Sequence, residues 1–199
     1  MARLALNKST LSKQTRQLKS YREFLPSLDM KRRQLMAERN QARQALQRLE
    51  RDFAGIDPLI AEHLPMLSNE RVELTDLVRV VGVDIVEENV MGTRLPLLNN
   101  VHVQVRDYSL LTKPHWVDRL AEYLMQALEQ RIAIQVAQQR LALLEQAVLI
   151  ITQRVNLFDK VLIPRTQKTI KKIRISLSDA ERDAVIRAKL AKSKKRQLS

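Results

Sequence analysis

The chain contains no cysteine, only three glycines, and aromatic side chains make up just 4% of it. Without cysteine there is no disulfide framework and no thiolate chemistry, which suits a reducing compartment. So few glycines and aromatics argue against a loop-rich fold or a compact core. No apolar run approaches the ~20 residues expected of a membrane-spanning helix; the densest patch is Ala147–Ile151. No phosphate-cradling G-x-x-x-x-G-K-[ST], no G-x-G-x-x-G and no H-E-x-x-H occurs. The three histidines, His63, His102 and His115, are widely separated and unaccompanied by clustered ligands, so no metal site, cofactor site or catalytic residue is expected.

What remains is helix material. Charged residues make up 29% and hydrophobic residues 45%, dominated by Leu, Ala, Arg, Lys, Gln and Glu. The net charge is +13, unevenly spread. Residues 1–51 carry +9, residues 52–159 carry −6, and residues 160–199 carry +10. If the two ends lie together they form one basic pole, which calls for an acidic partner.

Periodicity divides the chain into 1–54, an N-terminal coiled-coil helix; 55–115, short helices and a β-hairpin; and 116–195, a C-terminal coiled-coil helix. In the first stretch Leu4, Leu11, Leu18 and Leu25 recur every seven residues. Leu28, Leu35, Ala42 and Leu49 form a second series, and Leu46 and Phe53 rejoin the first. Asn7, Gln14, Arg32 and Arg39 are polar interruptions of this seam. Pro26 should kink or break the helix. Near Gly55 it falters; Asp57-Pro58 reads as an N-cap followed by proline at the first helical position. Pro65 breaks the restarted helix, and residues 68–77 are expected to be helical again.

The period then changes to two. Val78 to Glu87 is rich in valine and isoleucine, and Val101, Val103 and Val105 alternate with polar neighbours. With Gly92 and Pro96 between them, these stretches predict a β-hairpin with a bulge at Gly82. The pair Glu87-Glu88 falls at a predicted turn, as a solvated tip, and Arg94, beside Pro96, reads equally as a contact residue or a strand-edge arginine.

From Trp116 a stronger seam begins. It runs Trp116, Leu120, Tyr123, Ala127, Gln130, Ile134, Ala137, Leu141, Leu144, Val148, Ile151, Val155, Phe158 and Leu162, with one polar member, Gln130. Pro164 interrupts, and the seam resumes one residue out of phase at Ile163, Thr166, Ile170, Ile173, Leu177, Ala180 and Ala184, a stutter-like slip at the proline. The tail, Lys192 to Ser199, should fray. A lone helix cannot bury such a seam. The expected fold is therefore mainly α: one elongated domain, a long antiparallel two-helix coiled coil with short mid-chain helices and a β-hairpin. Residues 116–163 alone would span ~70 Å.

Three blocks then carry a family resemblance. They are Phe24–Leu35 (FLPSLDMKRRQL), Asn89–Leu98 (NVMGTRLPLL) and Arg154–Thr166 (RVNLFDKVLIPRT), the last followed by Ile170–Ile173 and Asp179–Arg182. In order and separation the chain resembles, over nearly its whole length, the D subunit of V-type and archaeal-type rotary ATPases. The RVN…IP block is the most specific. Pro26 and Gly55–Pro58 depart from the family's longer unbroken first helix.

The resemblance implies a non-catalytic rotor shaft of an H⁺- or Na⁺-transporting ATPase or ATP synthase at the cytoplasmic membrane face. Its termini would rise into the hexamer of A and B subunits. The co-rotor F would bind alongside, at the middle of the coil and the hairpin, and the C/d component would form the socket on the membrane ring. Contacts with the hexamer are expected from Lys8, Lys13, Arg16, Lys171, Lys172, Arg174 and Arg187. Neither nucleic acid, membrane insertion nor a homo-oligomer is expected. The rival reading is a basic coiled-coil nucleic-acid-binding or scaffold protein; missing recognition motifs and few aromatics for base stacking speak against the nucleic-acid version.

Overall fold

A computed structural model describes residues 5–68, 74, 76–106 and 114–197. The chain is mainly α: two long helical stretches form an antiparallel coiled coil, with short helices and one β-hairpin between them. The elements are α1 (Lys8–Ala54), α2 (Ile56–His63), a 3₁₀ turn (Pro65–Ser68), β1 (Val78–Val90), β2 (Thr93–Val105), α3 (Trp116–Asn156), a π-helical turn (Leu157–Leu162) and α4 (Ile163–Gln197). Contacts group the chain into two compact units, Met1–Arg32 with Ile150–Ser199, and Arg33–Leu149.

In the first unit, α1 runs antiparallel to the C-terminal helices. Lys8 Nζ lies 3.5 Å from Glu181 Oε1, and further along α1 the Tyr21 ring meets Phe158 edge-on at 5.4 Å. Ile151, Val155, Thr166, Ile170 and Ile173 are buried, while Leu11, Leu18, Leu25 and Leu28 of α1 are half-buried. Burying one such side chain fully is worth about 1.5–3 kcal/mol before the entropy of ordering. Thr166 is tolerated because its hydroxyl donates to the Leu162 carbonyl at 2.7 Å.

The phase slip has a local cause. Over Leu157–Leu162 the helix adopts π geometry, and the Ile163 N–H donates to the carbonyl of Phe158, five residues back rather than four. One residue is thereby inserted into the helical count. The seam ends on Phe158 and Leu162 before the slip and resumes on Thr166 and Ile170 after it. The expectation that Pro164 itself interrupts the helix is corrected. Pro164 lies in the first turn of α4, just after the π turn, and the helix continues past it.

Other expectations also change. Pro26 does not break α1, which runs unbroken across it. Pro26 and Arg22 are exposed, so water can satisfy the carbonyl that Pro26 leaves without a donor. Asn7 is not a seam residue but an N-cap: its Oδ1 accepts from the Thr10 N–H at 2.8 Å. The seam positions Ala180 and Ala184 are exposed, because Lys8, the first residue of α1, already lies opposite Glu181. α4 is helical as far as Gln197.

In the second unit α2 starts at Ile56, with Gly55 as its cap and no side-chain capping bond. Asp57 is therefore inside the first turn and is not the N-cap. The Gly55 N–H is shared between the carbonyls of Arg51 and Asp52, so the chain barely leaves helical geometry. Of the expected helix 68–77, Ser68 is in the 3₁₀ turn, and Leu74, Asp76 and Leu77 are not helical; the rest lies outside the described residues.

The hairpin is longer than expected, with thirteen residues in each strand. Its turn, Met91-Gly92, has positive φ at both residues (51° and 78°), the requirement of a type I′ turn. The Gly92 N–H donates to Asn89 Oδ1 at 2.8 Å. Two register shifts occur, between Val80 and Gly82 and between Asp84 and Ile85. The first lies at the expected bulge. Pro96 sits within β2, opposite Glu87, instead of in a connecting loop. A two-stranded sheet has an open edge on every strand, so a missing N–H is tolerated.

A small core fills the base of this unit. Leu64, Leu77, Trp116, Val117, Leu120 and Ala121 are buried together, flanked by Val78 and Val105. Trp116 is thus core. In the same unit Leu35, Leu46, Ile134, Leu144 and Val148 are buried. The expectation that no stretch is apolar enough to span a bilayer also needs correction. By length and composition the helical run Trp116–Lys194 is apolar enough to cross a membrane, with only 22% of its most apolar stretch buried.

Candidate partner-binding surfaces

The seven cations expected to contact a partner, Lys8, Lys13, Arg16, Lys171, Lys172, Arg174 and Arg187, are all exposed. The structure gathers only some of them. Lys8, Arg16 and Arg174 line one groove with Leu11, Leu177 and Glu181, a mixed surface of aliphatic floor and mostly cationic rim. Lys172 belongs to a different groove, beside Pro164. Lys13, Lys171 and Arg187 line neither. The basic pole is therefore partitioned, and Lys8 is already engaged with Glu181.

Three cations not singled out from the sequence, Lys160, Arg165 and Lys168, share the Pro164 groove with Lys172. A signal existed: Arg165, Lys168 and Lys172 are spaced i, i+3 and i+7, one helical face. That Lys160 joins them depends on the π turn, which no propensity rule announces.

The second unit presents a different surface. Arg140 on α3 reaches across to the hairpin, with Nη2 donating to Glu88 Oε2 at 2.7 Å and Nη1 to the Pro96 carbonyl at 3.4 Å. The pair Glu87-Glu88 is thus in strand β1 and not at a solvated tip. Glu88 anchors the hairpin, while Glu87 faces Arg94 at 3.7 Å, both exposed. Between hairpin and helix lies a groove of about 620 Å³ lined by Val83, Ile85, Ile132, Val136 and glutamines including Gln135 and Gln139. Val81, Ile85, Val86 and Leu97 are exposed on the strands, an apolar display that a lone hairpin in water does not sustain well.

Two of the three histidines make local contacts. His63 Nδ1 and the Tyr123 hydroxyl share a hydrogen bond of 2.6 Å with their rings stacked. His102 Nε2 pairs with Asp84 at 3.0 Å across the hairpin. Among the described residues no group of three or more His, Asp or Glu is placed to hold a metal ion. Two seam atoms, Arg32 Nε and Gln130 Oε1, are buried with no hydrogen-bond partner among the described residues; Arg32 Nη2 pairs with Asp29 at 2.5 Å.

The class the fold defines is an antiparallel coiled coil with exposed cationic and aliphatic grooves. The chain belongs to the ATP synthase D-subunit family, whose model matches residues 10–193. It is 30% identical over 193 residues to the V-type ATP synthase D subunit of Borreliella burgdorferi, spanning 97% of this chain and 95% of that one. It is 34% identical over 200 residues to the V-type ATP synthase D subunit of Chlamydia muridarum, spanning 98% of each.

Proposed function

We propose that this chain is the central rotor shaft of a V-type or A-type rotary ATPase or ATP synthase, working at the cytoplasmic face of the membrane. It would carry torque between a catalytic hexamer of A and B subunits and the ion-translocating ring, binding no nucleotide itself. The observation that supports this best is the seam. It continues from Trp116 to Ile173 along a backbone that stays helical through a proline and a phase slip. Torsional stiffness needs an uninterrupted hydrogen-bonded helix, and the π turn preserves one where the sequence would otherwise interrupt it.

The exposed cations suit the hexamer end. Long, flexible basic side chains attract acidic loops without the deep pockets that would trap a rotating shaft at one angle. Lys8, Lys13, Arg16, Lys171, Lys172, Arg174 and Arg187 are assigned to that end. The apolar groove between the hairpin and α3 is assigned to the co-rotor F, and the C/d socket would hold the lower end. Exposed apolar residues on α3, Leu143 and Leu149 among them, then need cover from partners, not from lipid.

The test is single-molecule rotation in the reconstituted complex, with the seven cations changed to glutamine in groups. Hydrolysis should persist while rotation slips, so that fewer turns are completed per ATP. Unchanged coupling in every group overturns this assignment of the contacts, and a chain that stays still while the hexamer hydrolyses ATP overturns the shaft reading itself.

A further inference from the structure

The groove beside Pro164 has a chemistry of its own. It measures about 390 Å³ and is lined by Lys160, Arg165, Lys168 and Lys172 around Val161, Pro164 and Thr169. None of the four cations makes an ion pair with a described residue, and no carboxylate lines the groove. From Lys160 to Ser178 the sequence holds six cations and not one acid. Packing like charges on one helix face destabilises that helix unless a counter-charge arrives.

Helix geometry holds the cations outward. Thr166, Ile170 and Ile173 occupy the buried face of α4, and Arg165, Lys168 and Lys172 run beside it as an exposed stripe. The π turn brings Lys160 to the same stripe and leaves Val161 47% exposed as an aliphatic floor. π turns inside α-helices are frequently functional.

We propose that this groove docks an acidic, amphipathic polypeptide segment of a partner. Its carboxylates would pair with Lys160, Arg165, Lys168 and Lys172, and one aliphatic side chain would cover Val161 and Pro164. Nucleic acid fits less well: no aromatic lines the groove, so there is no platform for base stacking, and phosphates gain nothing from an aliphatic floor. The proposal rests on the rotor reading only for the source of the segment, which would then be the catalytic hexamer.

Two measurements test it. In the first, the full chain carries the photo-crosslinker p-benzoylphenylalanine at Val161 within the purified rotary assembly, and the joined peptide is sequenced. A segment rich in Asp and Glu beside an aliphatic residue is expected. A neutral or basic segment, lipid, nucleic acid or self-crosslinks alone overturn the proposal. In the second, the full chain alone is titrated with a synthetic Glu/Leu amphipathic peptide at low salt. The variant Lys160→Gln/Arg165→Gln/Lys168→Gln should bind about tenfold more weakly, while Arg43→Gln/Arg48→Gln/Arg51→Gln, which removes the same charge from exposed positions outside every groove described above, binds as the parent does. Equal losses in both sets reduce the effect to net charge and also overturn it. If no rotary assembly co-purifies with the chain but the peptide remains groove-specific, the rotor reading falls and the groove stands. If the assembly is isolated and Val161 reaches no acidic segment, the groove falls and the rotor reading stands.

Discussion

Arg140 and Glu88, fifty-two residues apart in sequence, meet at 2.7 Å and join the β-hairpin to α3. The Arg140 side chain is 19% exposed, whereas that of Glu88 is 47% exposed. Half of the pair is therefore screened by water, and its coupling should be modest. A double-mutant cycle of Arg140→Ala and Glu88→Ala should return about 0.5–1 kcal/mol. Hydrogen exchange should show the loss confined to β1 and β2. Loss of protection along α3 itself would contradict this placement.

The buried seam should dominate stability. Leu35 is 1% exposed and Leu144 is fully buried, whereas Phe24 is 60% exposed. Leu35→Ala and Leu144→Ala should each cost about 2–5 kcal/mol in denaturant melts. Phe24→Ala should stay within about 0.5 kcal/mol of the parent despite removing a larger side chain.

The π turn gives a sharper test. Deleting Asp159 should let α3 and α4 join as one regular α-helix with a continuous seam, because it takes out the one inserted residue. The cost would then come from Pro164, now inside an ordinary helix, and adding Pro164→Ala should recover about 3 kcal/mol. Deleting Gln146, an exposed residue in regular α-helix, should instead throw the rest of the seam out of phase and lose most of the cooperative melt. Circular dichroism during thermal unfolding separates the two deletions.

The hairpin turn depends on its glycine. Gly92 holds φ at 78°, where an L side chain costs about 1–2 kcal/mol. Gly92→Val should lower protection across both strands while leaving the Tyr21–Phe158 contact unchanged. Aromatic NMR shifts of those two rings provide the control.

The hairpin groove should matter for a partner and not for folding. Ile85 is 50% exposed, so Ile85→Asp should leave the melting temperature nearly unchanged. It should also weaken co-purification of the small co-rotor F. Unaltered co-purification would remove the hairpin groove from that role.

Much of the fold was legible beforehand because helical periodicity is a local, repeated signal. Seam residues from Trp116 to Leu162 are all buried or half-buried, and so is the leucine ladder of α1 from Leu11 to Leu49. The one-residue slip near Pro164 was also legible as a slip. Its form was not, since phase counting alone cannot separate a broken helix from a π turn. Proline effects were overestimated at Pro26 and Pro96, where exposure and an open strand edge satisfy what the ring removes. The surfaces were the least legible part. Cations spread along the sequence sorted into two separate grooves and scattered exposed positions, and Arg140 carried no sign of its partner.

The sequence by itself determined which residues turn inward, because a heptad repeat and a strand alternation each specify a face from spacing alone. Only the tertiary structure decided which charges share a groove and which side chain bridges helix to hairpin. Those relations depend on distances between residues far apart in the chain, and a single inserted residue in one helical turn is enough to rotate every cation that follows it.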